Sequence, residues 1–196
     1  MSTIRLLGSI TFACCSAAFT TLLYNYFHQE ETEVLFFYGT MPICNFHRNL
    51  ASNTTTIQNN ECFECKLNKI IGWLNKTKKT LDICMYMFSH ELLANAVIAA
   101  HKRGVIVRII VNEDNLQTTW KMGNMGILKR FNKGIHNENL MHHKFIIVDN
   151  KKVISGSQNW TKTSVRANWE NSFITNNCEL VNPFRNEFQR LWKVFN

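Results

Sequence analysis

The chain has no internal repeat, no low-complexity tail and no even set of cysteines. The first two absences exclude a solenoid and a disordered tail as organising features. The seven cysteines (Cys14, Cys15, Cys44, Cys62, Cys65, Cys84 and Cys178) are odd in number and scattered over 196 residues. That is not the pattern of a disulfide framework, and it points to a reducing compartment. Acidic residues are scarce in one part of the chain. Residues 121–196 carry 5 Asp/Glu against 12 Lys/Arg, whereas residues 1–120 carry 9 against 10. Nearly all of the net charge of +8 therefore lies in the C-terminal part. Such an excess favours polyanions, either nucleic acid or an anionic lipid surface. The length suits one domain with a sizeable core rather than two.

Charge is absent altogether from Leu6 to Phe27, a run of 22 residues. As a helix it would rise about 33 Å, enough to cross the core of a bilayer. Tyr24 and Tyr26 lie near its end, where amphipathic rings favour the interface. The run is longer than the apolar part of a signal peptide, and no small-x-small cleavage site closes it. The expectation is an uncleaved anchor over residues 1–28 followed by one catalytic domain over 29–196. Arg5 stands alone on one side, so the charge pattern specifies orientation weakly.

Periodicity in the rest predicts strands alternating with helices, hence an α/β sandwich of a mixed sheet flanked by helices. Glu33–Tyr38 reads as a short buried strand, 67–78 as an amphipathic helix, and 81–88 as a strand. A helix capped by Ser89 and stopped at Gly104 leads to a strand over 105–111. A helix is expected over 123–132, closed by Gly134. Residues 144–148 and 152–155 read as paired strands joined by Asp149-Asn150, and 169–175 as another strand. Residues 179–195 form a final helix with Leu180, Phe184, Phe188, Leu191 and Trp192 inward.

One segment carries chemistry. It reads His142-x-Lys144-x4-Asp149, then six residues, then Gly156-Ser157-x-Asn159. On a strand, side chains two apart share a face, so His142 points with Lys144, and Ser157 with Asn159. An imidazole, an ammonium, a hydroxyl and a carboxamide gathered at one point suit a phosphodiester. Lys144 neutralises phosphoryl oxygens, Ser157 and Asn159 donate hydrogen bonds, and His142 supplies a nucleophile. Taken singly, each residue would read as surface or turn; the joint spacing is what singles them out.

The spacing resembles the HxKxxxxD(x6)GSxN signature of the phospholipase D superfamily at every defining position. The resemblance implies attack by His142 on phosphorus to give a phosphohistidine. A second histidine, from a second copy of the motif, protonates the leaving oxygen and then activates water. It implies no catalytic metal. This chain has one copy of the motif, so it further implies a homodimer with two copies meeting across a two-fold axis. Small single-motif members place an acidic residue eleven positions after the Asn; here that is Glu170, expected to hold the histidine ring. Asp149 belongs to the motif and, at a strand end, is expected to be structural.

The anchor, the segment EVLFF at 33–37, MHHKF at 141–145, GSQNWT at 156–161 and the Glu170-Asn171 pair together resemble the Zucchini family of mitochondrial phospholipase-D-like proteins, also described as mitochondrial cardiolipin hydrolases. The resemblance implies a single-strand-specific endoribonuclease on the mitochondrial outer membrane, single-pass and facing the cytosol, working with piRNA-pathway proteins. Its alternative is hydrolysis of cardiolipin to phosphatidic acid; a third reading is a catalytically weak scaffold. The family carries a structural zinc in an insertion, here expected over about 40–66. The candidate ligands are Cys44, His47, Cys62 and Cys65, a spacing that departs from the family's usual one. For an RNA groove, Lys121, Lys129, Arg130, Lys151, Lys152 and Arg166 are the candidate cations.

Overall fold

The computed structural model describes residues 18–21, 29–39, 44, 62–112, 117–132 and 139–195. The chain divides into two units, residues 1–31 and 32–196. In the first, residues 18–21 are helical and exposed. The rest of the expected anchor, 1–17 and 22–28, lies outside the described residues. Among the described residues no helix is long and apolar enough to cross a membrane.

The second unit is a seven-stranded sheet with helices on both faces. In chain order the elements are β1 (Thr32–Phe37), α1 (Phe63–Asn75), β2 (Thr80–Met85), α2 (Glu91–Lys102), β3 (Ile106–Val111), α3 (Gln117–Asn124) and β4 (Leu128–Phe131). There follow β5 (Lys144–Val148), β6 (Lys152–Gly156), α4 (Lys162–Arg166), β7 (Glu170–Thr175) and α5 (Cys178–Val194). The strand order is β1-β7-β6-β5-β2-β3-β4. β2, β3 and β4 pair in parallel, as the helical crossovers between them require. The other four pairings are antiparallel. The sheet is mixed, as the periodicity predicts.

The central strands are buried on both sides, and β5 has no exposed residue. One face packs Ile83, Ile109, Ile146 and Ile154 under α1 and α2, which bring Ile70, Leu74 and Val97. The other packs Cys84, Ile110, Phe145 and Ile147 under α5, which brings Val181, Phe188 and Leu191.

The predicted β5–β6 hairpin forms with Asp149 and Asn150 at its tip, both at positive φ (52° and 58°). The Lys151 N–H donates to Val148 O at 3.0 Å, closing a two-residue turn of the kind whose twist matches paired strands. Asn and Asp tolerate this left-handed backbone better than other side-chain-bearing residues.

Elsewhere the expectations need correcting. β1 is an edge strand rather than a buried one: Leu35 and Phe37 point inward, while Val34 and Phe36 are 52% and 51% exposed. α1 starts earlier than predicted, with Cys62 as its cap. His90, not Ser89, caps α2, and it makes no side-chain capping bond. Gly104, at φ +90°, follows the end of α2 as expected. The helix expected over 123–132 is instead the last turn of α3, a break at Gly126 (φ +84°) and strand β4. A short apolar and basic run fits either period, and the open edge of β3 decides it by offering backbone partners. Gly134 lies outside the described residues. In α5, Val181 takes the inward place expected of Leu180, which is exposed.

Candidate active site

β5 runs away from one end of the sheet and β6 returns to it, so the residues before β5 and after β6 are neighbours. This brings His142 and Lys144 to the same end as Ser157 and Asn159. Only Lys144 lies within a strand. His142 precedes β5, and Ser157 and Asn159 follow β6, rather than standing on it as the two-residue spacing suggested.

The Lys144 side chain is 9% exposed in a site whose His142 is open to solvent. Its Nζ donates to the His142 carbonyl at 2.8 Å and lies 3.2 Å from His142 Nδ1. Burial lowers the Lys144 pKa below its ordinary 10.5, and the Glu170 carboxylate acts in the opposite direction. Glu170 opens β7, beside β6. It accepts from Ser157 Oγ and, at 3.0 Å, from Asn168 Nδ2. Ser157 Oγ accepts in turn from the Asn171 N–H at 3.1 Å. Within one chain Glu170 therefore holds Ser157 rather than the expected histidine ring. It stands two strands from β5, about 10 Å at ordinary strand spacing. Asn159 Oδ1 is buried and has no hydrogen-bond partner among the described residues, an acceptor left for something outside this set.

The loop carrying Asn159 is held from behind. Trp160 is buried; its N–H donates to Met87 O at 3.1 Å, and its carbonyl accepts from the Ser89 and His90 N–H groups at 2.8 Å each. Gly156 is required by close approach: a Cβ there would lie 2.1 Å from Asn171 O. The motif's glycine thus lets β6 close on β7 where Ser157 leaves the sheet.

Asp149 lies at the far tip of the hairpin. Its carboxylate accepts from the Lys78, Lys79 and Thr80 N–H groups, tying the tip to the start of β2. Its hydrogen bonds go to that backbone and not to the other motif residues.

Most candidate groove cations are engaged elsewhere. Lys151 and Lys152 also lie at the far end of the hairpin, with Lys152 Nζ 4.1 Å from the Trp73 ring centroid. Arg130 donates to the Trp192 and Phe195 carbonyls at the end of α5. Arg166 pairs with Glu64 at 3.7 Å, Lys129 lies over Phe131, and Lys121 is exposed on α3. A surface cation in a sequence carries no signal of which end of a strand it occupies.

Two residues that the motif does not name touch the site. The Tyr86 ring lies 4.6 Å from the His142 ring, centroid to centroid. His143, between the two motif residues, faces Glu187 of α5 at 3.4 Å.

At the start of α1, Cys62 and Cys65 are buried with Cys44, the three sulfurs within 4.8 Å of one another. Burial raises the Cys62 thiol, but hydrogen bonds from Cys44 and Cys65 outweigh it and bring the pKa down to about 6. Burial and its neighbours push Cys65 up to about 12. Three converging sulfurs, one of them acidic, fit a thiophilic cation with one position left for a fourth ligand. His47 lies outside the described residues.

A mixed sheet layered by helices, with a His-Lys pair and a Ser-Asn pair meeting at the open end of one hairpin, defines the phospholipase D-like class. The chain belongs to that family: residues 70–192 match the domain described as cardiolipin synthase, PLD-like. Among curated proteins it is similar to the mitochondrial cardiolipin hydrolase of Danio rerio, 37% identical over 135 residues, or 67% of this chain and 59% of the relative. It is 35% identical to that of Homo sapiens over 68% of this chain and 53% of the relative. To that of Drosophila melanogaster it is 31% identical, over 70% and 62%. The chain thus spans a little over half the length of these relatives. Among solved structures the fold is shared with NucT from Helicobacter pylori (TM-score 0.66, 19% identity, 85% of this chain and 98% of that one). It is also shared with the phospholipase D family member Nuc from Salmonella typhimurium (TM-score 0.63, 24% identity, 85% and 97%).

Proposed function

We propose that the chain is a metal-independent phosphodiesterase that cleaves single-stranded RNA as a homodimer at the mitochondrial surface, in the piRNA pathway. The observation that carries the chemistry is the contact of the Lys144 ammonium with His142, beside the Ser157–Glu170 pair. His142 Nε2 can attack phosphorus when the ring proton sits on Nδ1, and the Lys144 ammonium then directs its hydrogens to the His142 carbonyl and the phosphate rather than to Nδ1. Attack forms the N–P bond as the bond to the leaving 3′-oxygen breaks, and that oxygen takes a proton from a second imidazole. Water then gives its proton back to that imidazole and displaces His142, leaving a 5′-phosphate. Lys144 and Asn159 offset charge on the phosphoryl oxygens, and Ser157, fixed by Glu170, lines the site.

The sequence needs two imidazoles where one chain supplies one, which supports the homodimer. The exposed apolar stripe of Val34, Phe36, Tyr38 and Trp169 also supports it. Trp169, 75% exposed, directly precedes Glu170 and meets Tyr38 edge-on at 5.1 Å. A patch of this kind marks an interaction surface. The sulfur cluster supports a structural zinc on Cys44, Cys62 and Cys65, with His47 as the fourth ligand. The uncharged run over 6–27 supports an outer-membrane anchor.

The second reading is a cardiolipin hydrolase releasing phosphatidic acid, favoured by what the curated relatives are named. Full-length protein in mild detergent separates the two. With EDTA present, it should cut end-labelled single-stranded RNA, leave duplex RNA intact and yield 5′-phosphate ends, while His142→Asn does nothing. Inertness toward RNA with release of phosphatidic acid from cardiolipin vesicles would replace the first reading by the second.

A further inference from the structure

Tyr86 follows the last residue of β2 and stands outside the motif. In the β2–β5 ladder Met85 faces Lys144. One step further, the Tyr86 N–H donates to His143 O at 2.9 Å. Regular pleating would send the Tyr86 side chain to the face of His143, its direct opposite. The chain bends at Tyr86 instead, and the ring lies against His142, planes tilted by 53°. The Lys144 ammonium sits 5.1 Å from the centroid of the same ring. One residue thereby touches both motif side chains and fixes the backbone between them.

We propose that Tyr86 is a positioning residue of the phosphodiesterase site: its ring holds the His142 imidazole in one orientation, with Nδ1 on the Lys144 side and Nε2 on the other, and its face carries part of the Lys144 charge. The inference rests on the reading of His142 as nucleophile. His142 is exposed, and an exposed imidazole with one side-chain partner turns freely about its terminal torsion. A ring packed 4.6 Å away removes that freedom. Lys144 is largely buried, and the π face of Tyr86 is an attractive surface for an ammonium taken from water. When His142 bonds to phosphorus its ring gains positive charge beside that ammonium. The same π face favours both cations without adding a charge of its own. The ring does this work, so the phenol oxygen is dispensable.

The test uses the full-length protein and bis(4-nitrophenyl) phosphate, a diester with neither base nor acyl chain, so the outcome does not depend on RNA or lipid being the substrate. Tyr86→Phe should stay within about twofold of wild type. Tyr86→Leu should lower kcat by roughly 10–100-fold with little change in KM, the size of loss expected from a displaced reacting group. The limb of its pH–rate profile set by the imidazoles should shift. In spectra of histidine-labelled protein, the signal that vanishes in His142→Asn should be ring-current shifted in wild type and Tyr86→Phe, and not in Tyr86→Leu. Tyr86→Met takes the place of Tyr86→Leu if the latter does not fold. A Leu or Met variant with wild-type kcat and pH profile, or with an unmoved His142 signal, overturns the proposal. A wild-type protein inert toward the diester sinks the phosphodiesterase reading instead, and the His142 signal still decides the contact.

Discussion

The Asp149 carboxylate accepts from three consecutive backbone N–H groups at 2.6–3.1 Å, all about seventy residues upstream. Hydrogen bonds to a charged group contribute about 1.5–3 kcal/mol. Asp149→Ala should therefore lower stability by roughly that amount, whereas His142→Asn, on the surface, should change it by less than about 0.5 kcal/mol. Urea denaturation of the two variants checks both. His90 gives a pH dependence. Burial lowers its pKa below 6.5, Arg166 and Lys162 act in the same direction, and Glu91 opposes them. The unfolded chain then takes up this proton first as the pH falls. The contribution is fully present above pH 6.5 and is lost below it. The urea midpoint should drop between pH 8 and pH 5.5, and His90→Gln should make that drop smaller. The motif residues are legible in sequence because their spacing is local. Tyr86 and the partners of Asp149 are not, because they come from a strand start and a strand end far away in the chain.

At the scale of elements, the β5–β6 hairpin is the most legible part, since its turn chemistry and both its strands lie within thirteen residues, 144–156. β4 was open to misreading, because a four-residue edge strand carries too little pattern to fix its period. β1 looked buried because both its faces are apolar, and sequence does not say which face a chain covers by itself. The close approach of β6 and β7 gives a prediction of its own. In Gly156→Ala the new methyl would meet Asn171 O, so the end of β6 must leave β7 and take Ser157 with it. We expect a stability loss of about 1–3 kcal/mol together with a fall in kcat of at least about tenfold. Thermal melts and diester turnover on the same preparation measure both. Loss of stability with full turnover would show that the strand can give way without moving the serine.

For the whole molecule, the decisive quantity is how many imidazoles a turnover needs. If one comes from each of two chains, mixing wild-type and His142→Asn subunits at equal amounts and allowing exchange should leave about one quarter of the activity of an undiluted wild-type sample. Independent chains would leave one half. Trp169→Glu should weaken association in analytical ultracentrifugation and lower activity in proportion to the dimer lost. A variant that stays dimeric would move the partner surface away from the β1 stripe. None of this was legible from composition: the basic excess of residues 121–196 pointed to a polyanion, yet several of those cations serve the fold instead, Arg130 on α5 and Lys152 on Trp73 among them.

The hairpin divides its duties between its two ends, and that division bears on descent. If His142 and Lys144 carry the chemistry as proposed, a copy of this protein that traded them away would fall silent as an enzyme and still draw on Asp149 for its stability. The third letter of the signature would then outlive the first two. Such a fossil would still look familiar to anyone scoring the motif by the number of letters kept, and only the pair at the open end would tell the living enzyme from its retired cousin.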